Sequence, residues 1–341
     1  PPRRTSTRCW PVNPRTMGLS RPSGAGGGPF FVEGAKEMSG KVTVRTTGRL
    51  EGAALKRRVF NTAFILPVLV INILFFAIPF VKVFFMSLFK WELLGTHSFI
   101  GLKNYVTAFQ DKTFLNSLGF TFEYALMVTP MLFLLAFALA LLVNHSVRGI
   151  GIFRTIYFAP VVISMTTCSL IWLWIYNDLY GVLNYLLSSC GLISKNITWM
   201  NQASTSLPAV CFMITWKMAG FNMLMLLSAL QGIGDDIHEA TSIDGASGAQ
   251  RFFRITLPMI RAHVGLALVI SIIGSVLAFE QFRIMTKGGP SSATMTAVNY
   301  MYNTSFKYFK FGYGAALSMV LLVILGILSY FQFKLLQDPT E

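Results

Sequence analysis

Residues 231–262, QGIGDDIHEATSIDGASGAQRFFRITLPMIRA, form a polar island between two long apolar runs. The island predicts two short helices with a break between them. Asp236 and Glu239 stand three apart, the spacing of a capping box, and Ser247 with Gln250 repeats it. Gly245 falls where the first helix needs a left-handed C-terminal residue, and Pro258 lacks the N–H required to continue the second. Arg251, Arg254 and Arg261 lie behind this acidic helix start, so the island presents a surface for something in the cytosol to hold. On local chemistry alone, Glu239 serves equally well as a simple cap and Gly245 as a simple turn.

Composition says what surrounds the island. With 54% hydrophobic residues, 12% charged residues and a mean hydropathy of +0.58, the 341-residue chain carries too much apolar surface for a soluble domain. The net charge is +14, and residues 1–58 hold twelve Lys and Arg against Glu33, Glu37 and Glu51. Most of the excess therefore sits in one tail, which argues for a cytosolic segment near anionic lipid rather than for nucleic-acid binding. The tail is rich in Pro, Gly, Ser and Arg without helical or strand period, so residues 1–58 read as a mostly disordered leader to a domain over 59–341. Met17 and Met38 are both candidates for the native start.

Six apolar runs are long enough to cross about 30 Å of hydrocarbon: 63–88, 118–143, 153–176, 206–230, 263–286 and 313–336. The expected fold is all-α, a polytopic membrane protein of six transmembrane helices with a cytosolic helical hairpin over 236–258. Pro67, Pro79, Pro130 and Pro160 predict kinks, and Ala136 with Ala140 offers a small-residue face for close helix approach. The basic tail and the all-arginine 231–262 loop place both termini in the cytosol, leaving 89–117, 177–205 and 287–312 outside. Those outer loops mix apolar with polar residues, which fits short interfacial helices.

Charges inside spans demand explanation, because each costs at least about 2.5–3.5 kcal/mol near the bilayer centre. They are Lys82, Glu123, Lys217, Glu280 and Arg283. Glu280 and Arg283 are three apart on one helix face, where they can pair; lining of a pathway is the other reading. Lys82 and Lys217 read as snorkelling side chains, and Trp172, Trp174 and Tyr176 as an interfacial belt. No catalytic constellation is visible: Cys9, Cys168, Cys190 and Cys211 lack metal or redox spacing, and the histidines are scattered. The phosphate cradle G-x-x-x-x-G-K-[ST] is also missing, so energy has to come from another subunit.

Glu239-Ala240, Gly245 six residues after the glutamate, and then Ile255, Leu257 and Pro258 resemble the EAA motif of permease subunits in binding-protein-dependent ABC importers. Thr241 stands where that motif has its second alanine. The resemblance extends to RTIYFAPVVIS, WKMAGFNMLMLLSALQGI and FEQFRIMTKGGPSSATMTAVNYMYNTSFKYFKFGYGAALSMVL, which are similar to the carbohydrate-uptake branch, with its maltose- and glycerol-phosphate-type permeases.

The resemblance implies a MetI-like fold and no ATPase site or bound cofactor on this chain, with ATP and Mg on the partner subunit. The implied partners are a second permease, an ATPase dimer and an extracytoplasmic solute-binding protein, all at a bacterial cytoplasmic (inner) membrane. The coupling residues would be Glu239, Ala240, Asp244, Gly245, Ile255, Leu257 and Pro258. The solute, a sugar or polyol with glycerol 3-phosphate as the alternative, would pass Trp216, Gly220, Glu280, Gln281 and Arg283. An ATP-independent channel or secondary transporter is the rival reading.

Overall fold

The computed structural model describes residues 65–336 apart from 94, 96, 145 and 146; the basic tail over 1–58 lies outside the described residues. Helix α1 (Ile65–Ser87) is followed by a small antiparallel β-hairpin, β1 (Phe89–Lys90) with β2 (Ser98–Phe99), which the sequence reading does not anticipate. A short α2 (Lys103–Gln110) leads through Asp111 into α3 (Lys112–Val143). Next come α4 (Ile150–Val162), α5 (Met165–Ile175), the short α6 (Val182–Ser189) and the long α7 (Ala203–Leu230).

The polar island folds as α8 (Asp235–Ile243) and α9, which runs from Gly248–Arg251 through a π turn at Phe252–Thr256 into Leu257–Met259. The described residues close with α10 (Arg261–Val276), α11 (Glu280–Met285), α12 (Ala297–Tyr302) and α13 (Phe311–Leu336).

Among the described residues, five stretches are long and apolar enough to span a membrane: α1, α3, α7, α10 with α11, and α13. The expected third span differs. Its two halves, α4 and α5, meet at 96° across a break at Ile163 and Ser164, so this stretch is a bent pair rather than a kinked helix and makes a sixth span where the pair is counted as one. Both break residues are extended, and Ser164 starts the new helix by accepting a hydrogen bond from the Thr167 N–H at 3.1 Å. The expected fifth span is also interrupted, by Leu277–Phe279 between α10 and α11.

Prolines act differently from the simple kinks expected. Pro79 and Pro258 each follow a π turn, Ile73–Ala77 and Phe252–Thr256. A proline ring clashes with the carbonyl four residues back and cannot bond to it, and a wider turn moves that carbonyl aside. Pro258 therefore does not end its helix; the break falls at Ile260. Pro130 lies inside an uninterrupted α3.

The core follows the α3–α7 contact. At the end near the helical hairpin, Ala136 and Ala140 are fully buried against Met223, Leu226 and Leu230, as their small size allows. At the opposite end Tyr124 and Val128 of α3 meet Trp172, Met213 and Phe282. In hydrocarbon there is little hydrophobic drive for helices to associate, so close packing of this kind carries the bundle. Gly220 shows how close: a Cβ there would lie 2.2 Å from the Tyr157 carbonyl oxygen of α4.

Candidate functional site

The helical hairpin is built by its turn. After α8 ends at Ile243, Gly245 takes φ +71°, the Ala246 N–H reaches the Thr241 carbonyl at 3.2 Å, and the Gly245 N–H reaches Ser242 at 3.2 Å. These are the two bonds of a Schellman stop. Ser247 then caps α9 with the expected capping box: its N–H donates to Gln250 Oε1 at 2.9 Å, and its Oγ accepts from the Gln250 N–H at 3.3 Å. The first expected box is not formed. Helix α8 begins two residues earlier than a cap at Asp236 requires, at Asp235 after Gly234, so Asp236 lies inside the helix instead of capping it.

Glu239, Ala240 and Asp244 are exposed, as are the apolar Ile243 and Phe253, at 80% and 65%. Ile255 and Leu257 are half-buried, Pro258 is exposed, and Thr241 turns inward and is buried. The hairpin thus roots itself through Thr241, Thr256 and Ile260 and presents a mixed acidic and apolar outer surface.

The residues expected along a pathway differ in exposure. Trp216 is 40% exposed and borders a cleft of about 550 Å³ with Leu139, Tyr157, Pro160, Ile163 and Ala219. Gly220 is buried at the α4–α7 crossing, where its place is explained by helix packing. Gln281 is buried, and its Nε2 donates to Tyr124 Oη at 3.4 Å, whereas Glu280 and Arg283 are exposed.

The expected Glu280–Arg283 pair is absent. Glu280 Oε2 accepts from Thr166 Oγ1 of α5 at 3.1 Å, while Arg283 Nη1 donates to Asn303 Oδ1 at 3.1 Å and lies 4.9 Å over the Tyr302 ring. Helix α11 is only six residues long, so its two ends meet different neighbours. That brings the acid to the first turn and the base to the last, each favourable to the helix dipole.

Two further expectations change. Lys217 does not snorkel: it is only 4% exposed, and its ammonium donates to the carbonyls of Pro160, Val161 and Ile163 at 3.4, 3.3 and 2.5 Å. Trp172 and Tyr176 are core residues rather than belt residues. Trp172 packs on Trp216 and Phe212, and Tyr176 Oη donates to the Ala209 carbonyl at 2.9 Å; Trp174 alone of the three faces outward.

A third feature, at the end away from the helical hairpin, escapes sequence reading altogether. Asp111 Oδ2 accepts from Tyr300 Oη at 2.5 Å and Tyr313 Oη at 2.7 Å, and Oδ1 accepts from the N–H groups of Thr113 and Phe114. Burial alone would push this carboxyl up, but the four donors outweigh it and hold it below the ordinary carboxylate value. Burial, then the bond to Asp111, pushes the Tyr300 phenol up. The cluster borders a cleft of about 680 Å³ with Trp91, Lys103 and Lys310. Asp-Lys-Thr before a long apolar helix is a readable N-cap signal, but nothing local points to two tyrosines about 190 to 200 residues away.

Comparison with known proteins places these features among relatives. The model for the family described as "Binding-protein-dependent transport system inner membrane component" matches residues 105–340. The chain is 33% identical to the arabinooligosaccharides transport system permease protein AraP of Bacillus subtilis over 279 residues, covering 81% of this chain and 87% of that protein. It is 30% identical to the sn-glycerol-3-phosphate transport system permease protein UgpA of Agrobacterium fabrum over 292 residues, covering 84% and 98%. Its fold matches a chain in the crystal structure of a bacterial ABC transporter involved in the import of the acidic polysaccharide alginate. That match has a TM-score of 0.74 at 23% identity, covering 86% of this chain and all of the other.

Proposed function

The chain belongs to the binding-protein-dependent transport system inner membrane components, and from that premise we propose that it is the solute-conducting permease of an ATP-driven sugar importer. The observation that carries this reading is the exposed helical hairpin on an otherwise apolar bundle. It is rooted by Thr241 and Ile260, turned by Gly245 and faced with Glu239, Ala240, Asp244 and Ile243. A rigid pair of short helices connected directly to α7 and α10 is suited to dock on an ATPase subunit and to carry its closure into the bundle.

In this reading the hairpin end and both termini face the cytosol, and a solute-binding protein delivers its load at the opposite end. A second permease subunit completes the path, while ATP and Mg bind on the paired ATPase subunits. ATP-driven closure moves the hairpins, and the solute passes along the interface between the two permeases. The solute is a sugar or polyol, a reading supported by the likeness to AraP, named for arabinooligosaccharides; glycerol 3-phosphate is the second reading, supported by the likeness to UgpA.

The test is reconstitution in proteoliposomes with the partner permease, ATPase and binding protein. Uptake that requires ATP and the binding protein supports the importer. Uptake by this chain alone, without ATP, would identify a channel or secondary transporter instead.

A further inference from the structure

We propose that Lys217 and Glu280 are positioning residues that hold the break in the third span from its two sides and tie that break to the helix leading into the helical hairpin. The last four carbonyls of any helix lack intrahelical partners, and in a membrane each unsatisfied one costs several kcal/mol. At the end of α4 the Ile163 N–H returns to Pro160, and the Lys217 ammonium reaches Pro160, Val161 and Ile163. Lys217 lies midway along α7, where a free charge is most expensive, and it is buried.

The carbonyl end of α4 carries partial negative charge, and the N-terminal end of α5 partial positive charge. Lys217 meets the first, and Glu280, bonded to Thr166 in the first turn of α5, meets the second. Each charge stands at the dipole end it complements, and the two come from different helices, α7 and α11. The same device recurs with Arg154, whose Nη2 donates at 2.9 Å to the Val143 carbonyl at the end of α3.

Only four residues, 231–234, separate the end of α7 from the start of α8. A displacement of the hairpin therefore reaches Lys217 through one continuous helix, and Lys217 passes it to the bend between α4 and α5. This step rests on the importer reading; the clamp itself does not.

The experiment uses the assembled complex with the four native cysteines replaced and spin labels at Ile152→Cys on α4 and Trp174→Cys on α5, both exposed positions. The parent is expected to show one narrow inter-label distance. Lys217→Met is expected to broaden it and to lower maximal uptake at least about tenfold, the loss of a charged hydrogen bond, with KM little changed. Lys217→Arg, which keeps the donors, should restore a narrow distance and uptake to within about threefold.

Glu280→Gln and Thr166→Val alter only exposed groups, so they report on the clamp even where Lys217→Met does not assemble; both should broaden the distance. An unchanged narrow distance in Glu280→Gln and Thr166→Val, or in an assembled Lys217→Met, overturns the clamp. Broadened distances with unaltered uptake overturn the link to transport. A parent without ATP-dependent uptake overturns the importer reading while the distances still decide the clamp.

Discussion

The Tyr313 hydroxyl donates a 2.7 Å hydrogen bond to Asp111, joining the start of α13 to the cap of α3 across 202 residues. The bond does two jobs, because the same carboxylate also holds the first turn of α3 through Thr113 and Phe114. Tyr313→Phe should lower stability in detergent by about 1–2 kcal/mol, the range of a hydrogen bond to a charged group that is partly exposed. The folded pKa of Asp111 is depressed, so the stability it contributes is present above the unfolded carboxylate pKa and is lost as pH falls through the lower folded value. Asp111→Asn should therefore flatten the acid limb of the melting profile; an unchanged limb would remove Asp111 from the account.

Gly245 has no atom within 4 Å of where a Cβ would stand, so only its φ of +71° restricts the position. Gly245→Asn, which tolerates the left-handed region, should keep uptake near the parent value. Gly245→Ala should cost about 1–2 kcal/mol locally, and Gly245→Pro, locked near −65°, should abolish solute-stimulated ATP hydrolysis. Full coupling in the proline variant would show that the Schellman turn is not needed for docking.

At Gly220 the reverse holds, since space and not φ is the constraint. Gly220→Ala would press a methyl 2.2 Å from the Tyr157 carbonyl oxygen and 2.8 Å from Phe158 Cα, both backbone atoms that move only with the helix. The expected result is a loss of about 2 kcal/mol or more, read as a lower melting temperature and poorer assembly. Gly274→Ala, with open space around it, is the control and should be close to neutral.

Glu280 and Arg283 have separate partners, so their variants should behave independently. In a cycle of Glu280→Gln, Arg283→Met and the double variant, the coupling in stability should stay within about 0.5 kcal/mol. A coupling above about 1 kcal/mol would mean that the two charges meet after all in some state of the protein.

Much of this protein is legible without coordinates because membranes impose strong local rules. Run length and apolarity place the spans, and Gly245 with Ser247 and Gln250 places the helical turn, since those effects act within a few residues. What local rules cannot supply is the partner of a polar group. Asp236 loses its capping role through a two-residue shift in where α8 starts. Pro258 is passed rather than obeyed because a π turn relieves it.

Lys217 and Glu280 look from the sequence like awkward charges in two spans, one free to snorkel and the other free to pair with Arg283. Tertiary structure decides otherwise. The 96° break in the third span exposes carbonyls that need a donor and a helix start that welcomes an anion, and only the packing of α7 and α11 beside that break brings the two charges there. In a low-dielectric interior the cost of an unmet carbonyl or a lone ammonium exceeds any local preference, so the distant partner dictates where each side chain goes.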